Sequence, residues 1–253
     1  MSKNIPRLRM VAGPNGSGKS TIKSELSPEL LGVYINPDEI EKEVLKRGYL
    51  DFTSYDVRTT GQEVLDYFAH SALLKKVDLL NEVKNLRFTD GKFSFHEVAV
   101  NAYFASVAAD FIRNKLFEAH KTFTFETVMS FPDKVELLRK AQANGYRTYL
   151  YYVATENPDI NISRVRHRVK MGGHPVPEDK IISRYQRSLD LLMQAVQFTH
   201  RAYIFDNSSD KHIWVAEITN GRTLEMKVDQ MPTWFKKALW DRFSAIARAP
   251  PLA

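Results

Sequence analysis

The sequence contains no cysteine, which excludes disulfides, thiolate metal sites and thiol nucleophiles. It also lacks an apolar run long enough to span a bilayer, because the longest candidate, residues 98–112, is interrupted by Asn101 and Asp110. The N-terminal residues are basic, but the apolar core of a signal peptide does not follow them. We therefore expect a cytoplasmic protein that does not bind membranes.

Internal repeats and low-complexity linkers are also absent, so the sequence predicts one domain over residues 1–253. Short apolar runs alternate with helical patterns, which favours a parallel sheet flanked by helices. Residues 48–100 have an interrupted helical pattern, and Asn220-Gly221 predicts a β-hairpin between residues 213–218 and 223–228. The predicted strands are residues 8–12, 31–36, 123–127, 148–154 and 203–205, and the predicted helices are residues 37–47, 100–119, 133–144, 158–171, 177–199 and 232–247.

One glycine-rich stretch matches the G-x-x-x-x-G-K-[ST] pattern of phosphate-binding loops at every position. It follows a predicted strand and precedes residues that can begin a helix, so the N–H groups of the loop and of the helix start would face one anion. Lys19 adds a positive charge for the β- and γ-phosphates of a nucleoside triphosphate, and the Ser20 hydroxyl suits Mg²⁺. The predicted ATP-binding residues of this loop are Gly13, Pro14, Asn15, Gly16, Ser17, Gly18, Lys19, Ser20 and Thr21.

Two acidic residues lie where predicted parallel strands end, which is the edge at which open α/β sheets bind ligands. Asp38 follows the second strand, in a stretch where Asn36, Pro37 and Glu39 suffice to begin a helix. A carboxylate there would orient an acceptor hydroxyl and take its proton, so we favour Asp38 as a general base over a mere helix-start residue. Glu126 ends the third strand, and we favour a metal or substrate-hydroxyl contact for it over a solvated turn residue.

Basic residues are concentrated in residues 158–199, which are predicted as two helices joined by a Gly-Gly-His-Pro turn. Between residues 164 and 187 there are seven basic residues against two acidic ones, whereas the whole chain has a formal net charge of +6. This layout predicts a mobile lid whose guanidinium groups close onto a triphosphate; the alternative is a solvated charged face. The arginines that share helix faces are Arg164 with Arg168 and Arg184 with Arg187.

These motifs, in this order, resemble the zeta-toxin family of P-loop kinases, in the bacterial branch described as predicted ABC-type ATPases. A true ABC-type ATPase would carry Leu-Ser-Gly-Gly-Gln and a strand ending in Asp-Glu, and because neither occurs here we exclude that class. The resemblance covers residues 8–47 and about 100–210. Besides the phosphate-binding loop, it rests on Ile35-Asn36-Pro37-Asp38-Glu39-Ile40, Phe125-Glu126-Thr127, Arg164-Val165, Arg168-Val169, Gly172-Gly173-His174-Pro175-Val176-Pro177, Arg184-Tyr185, Arg187-Ser188-Leu189 and Asp206-Asn207-Ser208.

The resemblance implies an α/β P-loop NTPase with an adenylate-kinase-like, parallel five-stranded sheet flanked by helices. It implies ATP and Mg²⁺ as cofactors and phosphorylation of a small-molecule acceptor, which in studied zeta toxins is a UDP-N-acetyl amino sugar. Residues 48–100 form a helical insertion that compact members lack, and we expect it to cover the acceptor side of the sheet. Residues 211–253, a β-hairpin and a helix, lie outside the family pattern.

By position, the resemblance implies that Lys19 and Ser20 hold the phosphates and Mg²⁺, that Asp38 is the catalytic base and that Arg168 is a catalytic lid arginine. Where studied toxins place a further lid arginine, this chain reads Gly-Gly-His-Pro-Val-Pro, so His174, Arg184 or Arg187 is expected to substitute. Beyond the loop, the residues expected at ATP are Arg164, Arg168 and Asn207, and those expected at the acceptor are Asn36, Asp38, Glu126, Thr127, Arg184 and Arg187.

Two other functions remain open from the sequence. A polynucleotide kinase would explain the basic segment, but nucleic acid is not the expected partner, because the arginines lie where a lid should be and no basic stripe with interleaved aromatics occurs. A non-catalytic ATP-dependent switch would use the C-terminal helix as a docking surface. A toxin would need an antitoxin partner, and with seven residues before the first predicted strand we expect no fused inhibitory domain there. The docking residues of the switch hypothesis are Trp234, Phe235, Leu239, Trp240 and Phe243.

Overall fold

The computed structural model describes residues 5–248, and side chains as far as residue 245. The chain divides into two units, which we describe separately: the first comprises Met1–Leu30 and Thr127–Ala253, and the second is Leu31–Glu126. Residues 1–4 and 249–253, which the predicted domain and the predicted C-terminal region include, lie outside the described residues. Among the helices that are described, none is long and apolar enough to cross a bilayer.

Ten strands and eleven α-helices are described between residues 5 and 248. The strands are β1 (Arg7–Ala12), β2 (Val33–Ile35), β3 (Tyr49–Asp51), β4 (Arg87–Thr89), β5 (Lys92–Ser94), β6 (Phe123–Thr127), β7 (Arg147–Ala154), β8 (Arg201–Asp206), β9 (Ile213–Thr219) and β10 (Thr223–Met226). The helices are α1 (Lys19–Glu25), α2 (Pro28–Leu31), α3 (Pro37–Arg47), α4 (Gly61–Ala69), α5 (Ala72–Lys76), α6 (Ala102–Glu118), α7 (Pro132–Ala143), α8 (Pro158–Lys170), α9 (Glu178–Gln197), α10 (Thr233–Phe235) and α11 (Asp241–Arg248). Two 3₁₀ segments (Phe52–Tyr55 and Leu80–Asn85) and one π segment (Lys236–Trp240) complete the secondary structure.

The first unit is built on a mixed sheet in the order β10-β9-β8-β7-β1. Strands β1, β7 and β8 pair in parallel, whereas β9 and β10 add antiparallel to them. Asn220 and Gly221 both have positive φ, 51° and 62°, which is the conformation that a two-residue type I′ hairpin requires. The predicted C-terminal hairpin is therefore confirmed.

One face of this sheet carries helices of the first unit, including the C-terminal one. Tyr152 of β7 is fully buried, shares a hydrogen bond of 3.0 Å with Ser188 of α9 and contacts the ring of Trp234. The Trp234 indole N–H donates to Asp206 Oδ2 at 2.6 Å, and Phe235 and Leu239 are fully buried. These side chains belong to the core of the first unit, so they are not available for the docking role that the switch hypothesis gives them.

The second unit contains the parallel pair β2–β6 and a separate antiparallel sheet in the order β3-β5-β4. The sequence predicted a helical insertion over residues 48–100, and helices α4 and α5 do form there. The small sheet was not predicted. Asp90 and Gly91, interpreted from the sequence as a helix break, form the turn between β4 and β5 with φ of 52° and 75°, which again is a hairpin turn.

The five predicted parallel strands all form, and together with the flanking helices they confirm the α/β class. Helix α3 shows why its bounds could be predicted from local signals. Asn36 caps it by accepting the N–H of Asp38, Pro37 occupies the first turn, and Gly48 ends it in the left-handed conformation, with φ of 76°.

Candidate active site

The glycine-rich loop connects β1 to α1 in the first unit, and its backbone passes very close to neighbouring chain segments. A Cβ atom on Gly13 would lie 2.0 Å from the carbonyl oxygen of Val153, and one on Gly16 would lie 2.6 Å from that of Asn161. Gly16 also has a φ of 75°, a conformation that disfavours any side chain. The glycines therefore serve the packing of the loop as well as its conformation.

Lys19 is buried, and its ammonium group is held inside the loop. Its Nζ donates to the carbonyl oxygens of Gly13 and Pro14, both at 3.0 Å. The Ser17 hydroxyl beside it is fully buried, and within the described residues Oγ has no hydrogen-bond partner. A buried ammonium among loop backbone groups is the arrangement that binds the phosphates of a nucleoside triphosphate.

Two asparagines tie the loop to the rest of the first unit. Asn207, predicted at the ATP site, donates through Nδ2 to Ser17 O at 2.8 Å. Asn161, which the sequence analysis missed, is fully buried and donates through Nδ2 to Asn15 O at 2.6 Å. The available signal for Asn161 was its position four residues before Val165, on the buried face of α8. A polar residue on such a face is expected to have a specific partner.

Gly16 provides a test of how far this tight packing matters. Gly16→Ala should lower the free energy of unfolding by more than the roughly 1–2 kcal/mol cost of a left-handed alanine, because the added Cβ meets the Asn161 carbonyl. Gly145→Ala is the matched control, since Gly145 has a φ of 79° and a Cβ added there would meet no atom within 4 Å. Thermal unfolding and ATP titration of both variants measure the effect, and equal losses of stability would contradict the packing argument.

The four predicted arginines reach different places within the first unit. Arg164 donates to the carbonyl oxygens of Asn207, at 2.6 Å, and Ser209, at 3.1 Å. Arg184 reaches the loop itself, with Nη1 3.4 Å from Asn15 Oδ1. Arg184 thus contacts the phosphate-binding loop, and Arg164 lines a cleft together with Gly18 of that loop.

Arg168 and Arg187 lie elsewhere in the first unit. The Arg168 side chain is exposed and its Nη2 lies 3.4 Å from the carbonyl oxygen of His174, in the turn after α8. Arg187 donates through Nε to Ser130 O at 3.2 Å, and its guanidinium lies over the Phe131 ring. These contacts of Arg168 and Arg187 are with residues outside the glycine-rich loop.

A cleft of about 340 Å³ opens beside the start of α1 in the first unit. A cleft of this size is large enough for a small ligand. His212, at this cleft, was not predicted from the sequence because it follows the last recognised motif. Its Nε2 lies 3.2 Å from Glu25 Oε1 on α1. The cleft is lined by Gly18, Thr21, Arg164, Asn207, Ser209, Asp210 and His212.

Thr127 belongs to the first unit, and its carbonyl oxygen and hydroxyl both accept hydrogen bonds from the backbone. The carbonyl oxygen accepts the N–H of Gly13 at 3.3 Å, and the hydroxyl accepts the N–H of Met129 at 3.0 Å. Met129 has a φ of 53°, an uncommon conformation for a residue other than glycine. The Thr127 hydroxyl therefore supports a strained turn directly after β6.

The predicted acidic residues both lie in the second unit, where a small polar network surrounds Glu126. Glu126 Oε2 accepts hydrogen bonds from the Tyr34 hydroxyl at 2.7 Å and from Asn36 Nδ2 at 3.3 Å. Two causes raise the pKa of Tyr34 above its ordinary range: its burial, which is the larger, and the negative charge of Glu126. The phenol therefore remains a hydrogen-bond donor. Asp38 lies in the first turn of α3 and is exposed. Tyr34 is the member of this network that the sequence analysis missed.

The residues at the loop fit Mg²⁺ bound through a nucleotide rather than through a protein cage. Among residues 5–248, no group of three or more acidic or histidine side chains is arranged to hold a metal ion. Mg²⁺ characteristically retains several waters and binds through substrate phosphates with one or two protein oxygens. Ser20 is exposed in the first turn of α1, and its hydroxyl is an oxygen of the kind that would suit such an ion.

Comparison with known proteins gives a local sequence match and a wider match of fold. An uncharacterized protein of Haemophilus influenzae is 33% identical over 66 residues, which cover 26% of this chain and 47% of that protein. The match thus spans about half the length of that relative. The crystal structure of AvrRxo1-ORF1:-ORF2 with ATP has a TM-score of 0.53 at 14% identity, covering 98% of this chain and 65% of that chain. The PezAT chromosomal toxin-antitoxin system of Streptococcus pneumoniae has a TM-score of 0.47 at 13% identity, covering 97% of this chain and 86% of that chain.

The AvrRxo1 likeness shows a shared fold, which agrees with the α/β architecture described above. The family is decided by the sequence. The model of the family described as Zeta toxin matches residues 92–219, a stretch that contains β6, the arginine-bearing helices α8 and α9, and Asn207. Because this match covers half of the chain, the protein belongs to the zeta-toxin family.

Proposed function

We propose that this protein is an ATP-dependent kinase that transfers the γ-phosphate of ATP to a hydroxyl group of a small-molecule acceptor. The observation that carries the proposal is the buried Lys19 ammonium inside a complete phosphate-binding loop. Membership of the zeta-toxin family supports the same reaction, and the AvrRxo1-ORF1:-ORF2 structure shows that a protein of this fold has been crystallised with ATP. The proposed acceptor is a UDP-N-acetyl amino sugar.

In the proposed reaction, residues of the chain bind charge and move one proton. The acceptor hydroxyl gives its proton to Asp38 while its oxygen bonds to the γ-phosphorus, and the bond to the β–γ bridging oxygen breaks to release ADP. Lys19 compensates the charge on the β- and γ-phosphates, and Arg164 and Arg184, already near the loop, add to it. Mg²⁺, held by Ser20 and the phosphates, would neutralise the remaining charge.

Three of the proposed acceptor residues have a defined chemical task. Glu126 and Asn36 would bind acceptor hydroxyls, and Asp38 would take the proton. Thr127 and Arg187 complete the proposed set, although their present contacts are structural. We also propose that the insertion of residues 48–100 contributes to acceptor choice and that an antitoxin is the protein partner.

The direct test is mass spectrometry of acceptors incubated with the protein, ATP and Mg²⁺. UDP-N-acetylglucosamine and related UDP-amino sugars are expected to gain one phosphate, and an oligonucleotide with a free 5′-hydroxyl is not. Phosphate appearing on the oligonucleotide would instead favour a polynucleotide kinase. Slow ATP hydrolysis with no phosphorylated acceptor would contradict the kinase proposal and favour the switch.

Arg168 provides a test of the proposed lid. Arg168→Ala should lower kcat more than it raises KM for ATP, because the arginine is exposed in this structure and would contact the phosphates only after closure. Arg166→Ala is the matched control on the same helix, since Arg166 forms an exposed ion pair with Glu178. Steady-state kinetics measure the difference. Wild-type values of kcat and KM for Arg168→Ala would favour the alternative interpretation, in which residues 158–199 form a solvated charged face.

A further inference from the structure

Backbone register places the side chains of Tyr34, Asn36 and Glu126, all in the second unit, on one face. Tyr34 of β2 pairs with Thr124 of β6, and Ile35 pairs with Phe125. Because successive side chains in a strand alternate between faces, the next residue on the Tyr34 face is Asn36, and it comes beside Glu126. The contact between Asn36 and Glu126 therefore follows from the pairing of the two strands.

Asn36 uses both ends of its side-chain amide. The backbone N–H of Asp38 can only donate, so the atom that faces it at 2.9 Å is the oxygen Oδ1. The amide nitrogen must then face Glu126, where it lies 3.3 Å from Oε2. One side chain thus connects the backbone of Asp38 to the carboxylate of Glu126.

Tyr34 supplies a second donor to the same carboxylate oxygen. Its hydroxyl lies 2.7 Å from Glu126 Oε2 and 3.5 Å from the Asn36 amide nitrogen. A short hydrogen bond to an ionised carboxylate is stronger than a neutral one. With two donors on one oxygen, the Glu126 carboxylate is held in one orientation.

We propose that Asn36 is a positioning residue, which sets the orientation of Glu126 relative to the helix start that carries Asp38. This inference rests on the proposed function, in which Asp38 accepts the proton and Glu126 binds the acceptor. In addition to its proposed contact with an acceptor hydroxyl, Asn36 acts on the reaction through these two acids, and Tyr34 supports it from β2. A change at Asn36 should therefore alter the rate without removing either acid.

The variant N36D separates this role from simple helix capping. Aspartate is as good an N-cap as asparagine, so α3 keeps its start. The amide donor is replaced by a carboxylate oxygen that faces Glu126, and two like charges at this distance repel and retain one proton to higher pH. With ATP and UDP-N-acetylglucosamine as probes, we expect kcat relative to wild type to fall about tenfold at about pH 8.

The loss should shrink as the pH is lowered towards about 5.5, because the introduced carboxyl then holds a proton that it donates to Glu126 in place of the amide. The matched control is N101D, at the N-cap of α6, where Asn101 Oδ1 accepts the N–H groups of Tyr103 and Phe104. We expect N101D to keep a rate near that of wild type at every pH. A pH-independent loss in N36D, or equal effects of the two variants, would overturn the proposal.

A double-mutant cycle tests the contact without relying on activity. N36D should lower the urea midpoint in the wild-type background and lower it much less in a Glu126→Gln background, where the repulsion is absent. Equal shifts in the two backgrounds would overturn the inference even if phosphate transfer is observed. Coupling in the cycle together with no transfer to UDP-N-acetylglucosamine would support the positioning contact and reject the proposed acceptor.

Discussion

Replacement of Lys19 by methionine is expected to lower the rate of phosphate transfer by at least about 10²-fold and to weaken ATP binding strongly. Methionine keeps much of the buried aliphatic volume but removes the ammonium that lies between the carbonyl oxygens of Gly13 and Pro14. Removing one preorganised charge donor from a transition state costs about 10² to 10³-fold in rate. Isothermal titration with ATP and mass spectrometry of phosphorylated UDP-N-acetylglucosamine measure the two effects.

Lys23→Met is the matched control, because Lys23 lies one turn further along the same helix. It should leave ATP affinity and transfer close to wild type. Thermal unfolding of both variants establishes that each one is folded. If Lys19→Met binds ATP with unchanged affinity and still transfers phosphate, residues 13–21 are not the triphosphate site.

The second large effect is expected for Asp38→Asn. Asparagine keeps the size of the side chain and removes its ability to take a proton. General-base catalysis contributes about 10² to 10⁴-fold, or roughly 3–5 kcal/mol of barrier, so transfer should fall by that factor. ATP affinity should change little, because Asp38 is not proposed as a phosphate ligand.

Glu39→Gln separates the base from the electrostatics of the helix start. Asp38 and Glu39 are both exposed in the first turn of α3. Each of the two substitutions therefore removes one negative charge near the same helix N-terminus. Glu39→Gln should therefore match Asp38→Asn in unfolding temperature and keep the wild-type rate. Equal loss of transfer in both variants, or none in Asp38→Asn, would assign Asp38 to the helix start alone.

Some features of this protein follow from short stretches of sequence. Helix α3 begins at Pro37, as predicted, because its start signals are adjacent in the chain, and Gly48 ends it by the same logic. Strand β6 forms at the predicted residues, and the Asn220-Gly221 turn closes the predicted hairpin. The phosphate-binding loop is likewise a continuous motif whose chemistry needs no distant residue to be recognised.

The small sheet of the second unit shows where local reading failed. Its strands are only three residues long, too short for a period of two to be distinguished from an interrupted helix. The Asp90-Gly91 turn was visible in the sequence, but a turn between two such short runs was interpreted as a helix break. Pairing of β5 with β3, more than forty residues earlier in the chain, decides the outcome.

The sequence by itself determined the α/β class, the phosphate-binding loop and the family of this protein, because each depends on residues that are adjacent or regularly spaced. Only the tertiary structure decided that Asn161 holds the loop, that Arg184 contacts it while Arg164 contacts Asn207, and that Asn36 joins Asp38 to Glu126. These contacts join residues up to 169 positions apart. A side-chain hydrogen bond forms only within about 3.5 Å, and no pattern of neighbouring residues specifies which distant atoms the fold brings within that distance.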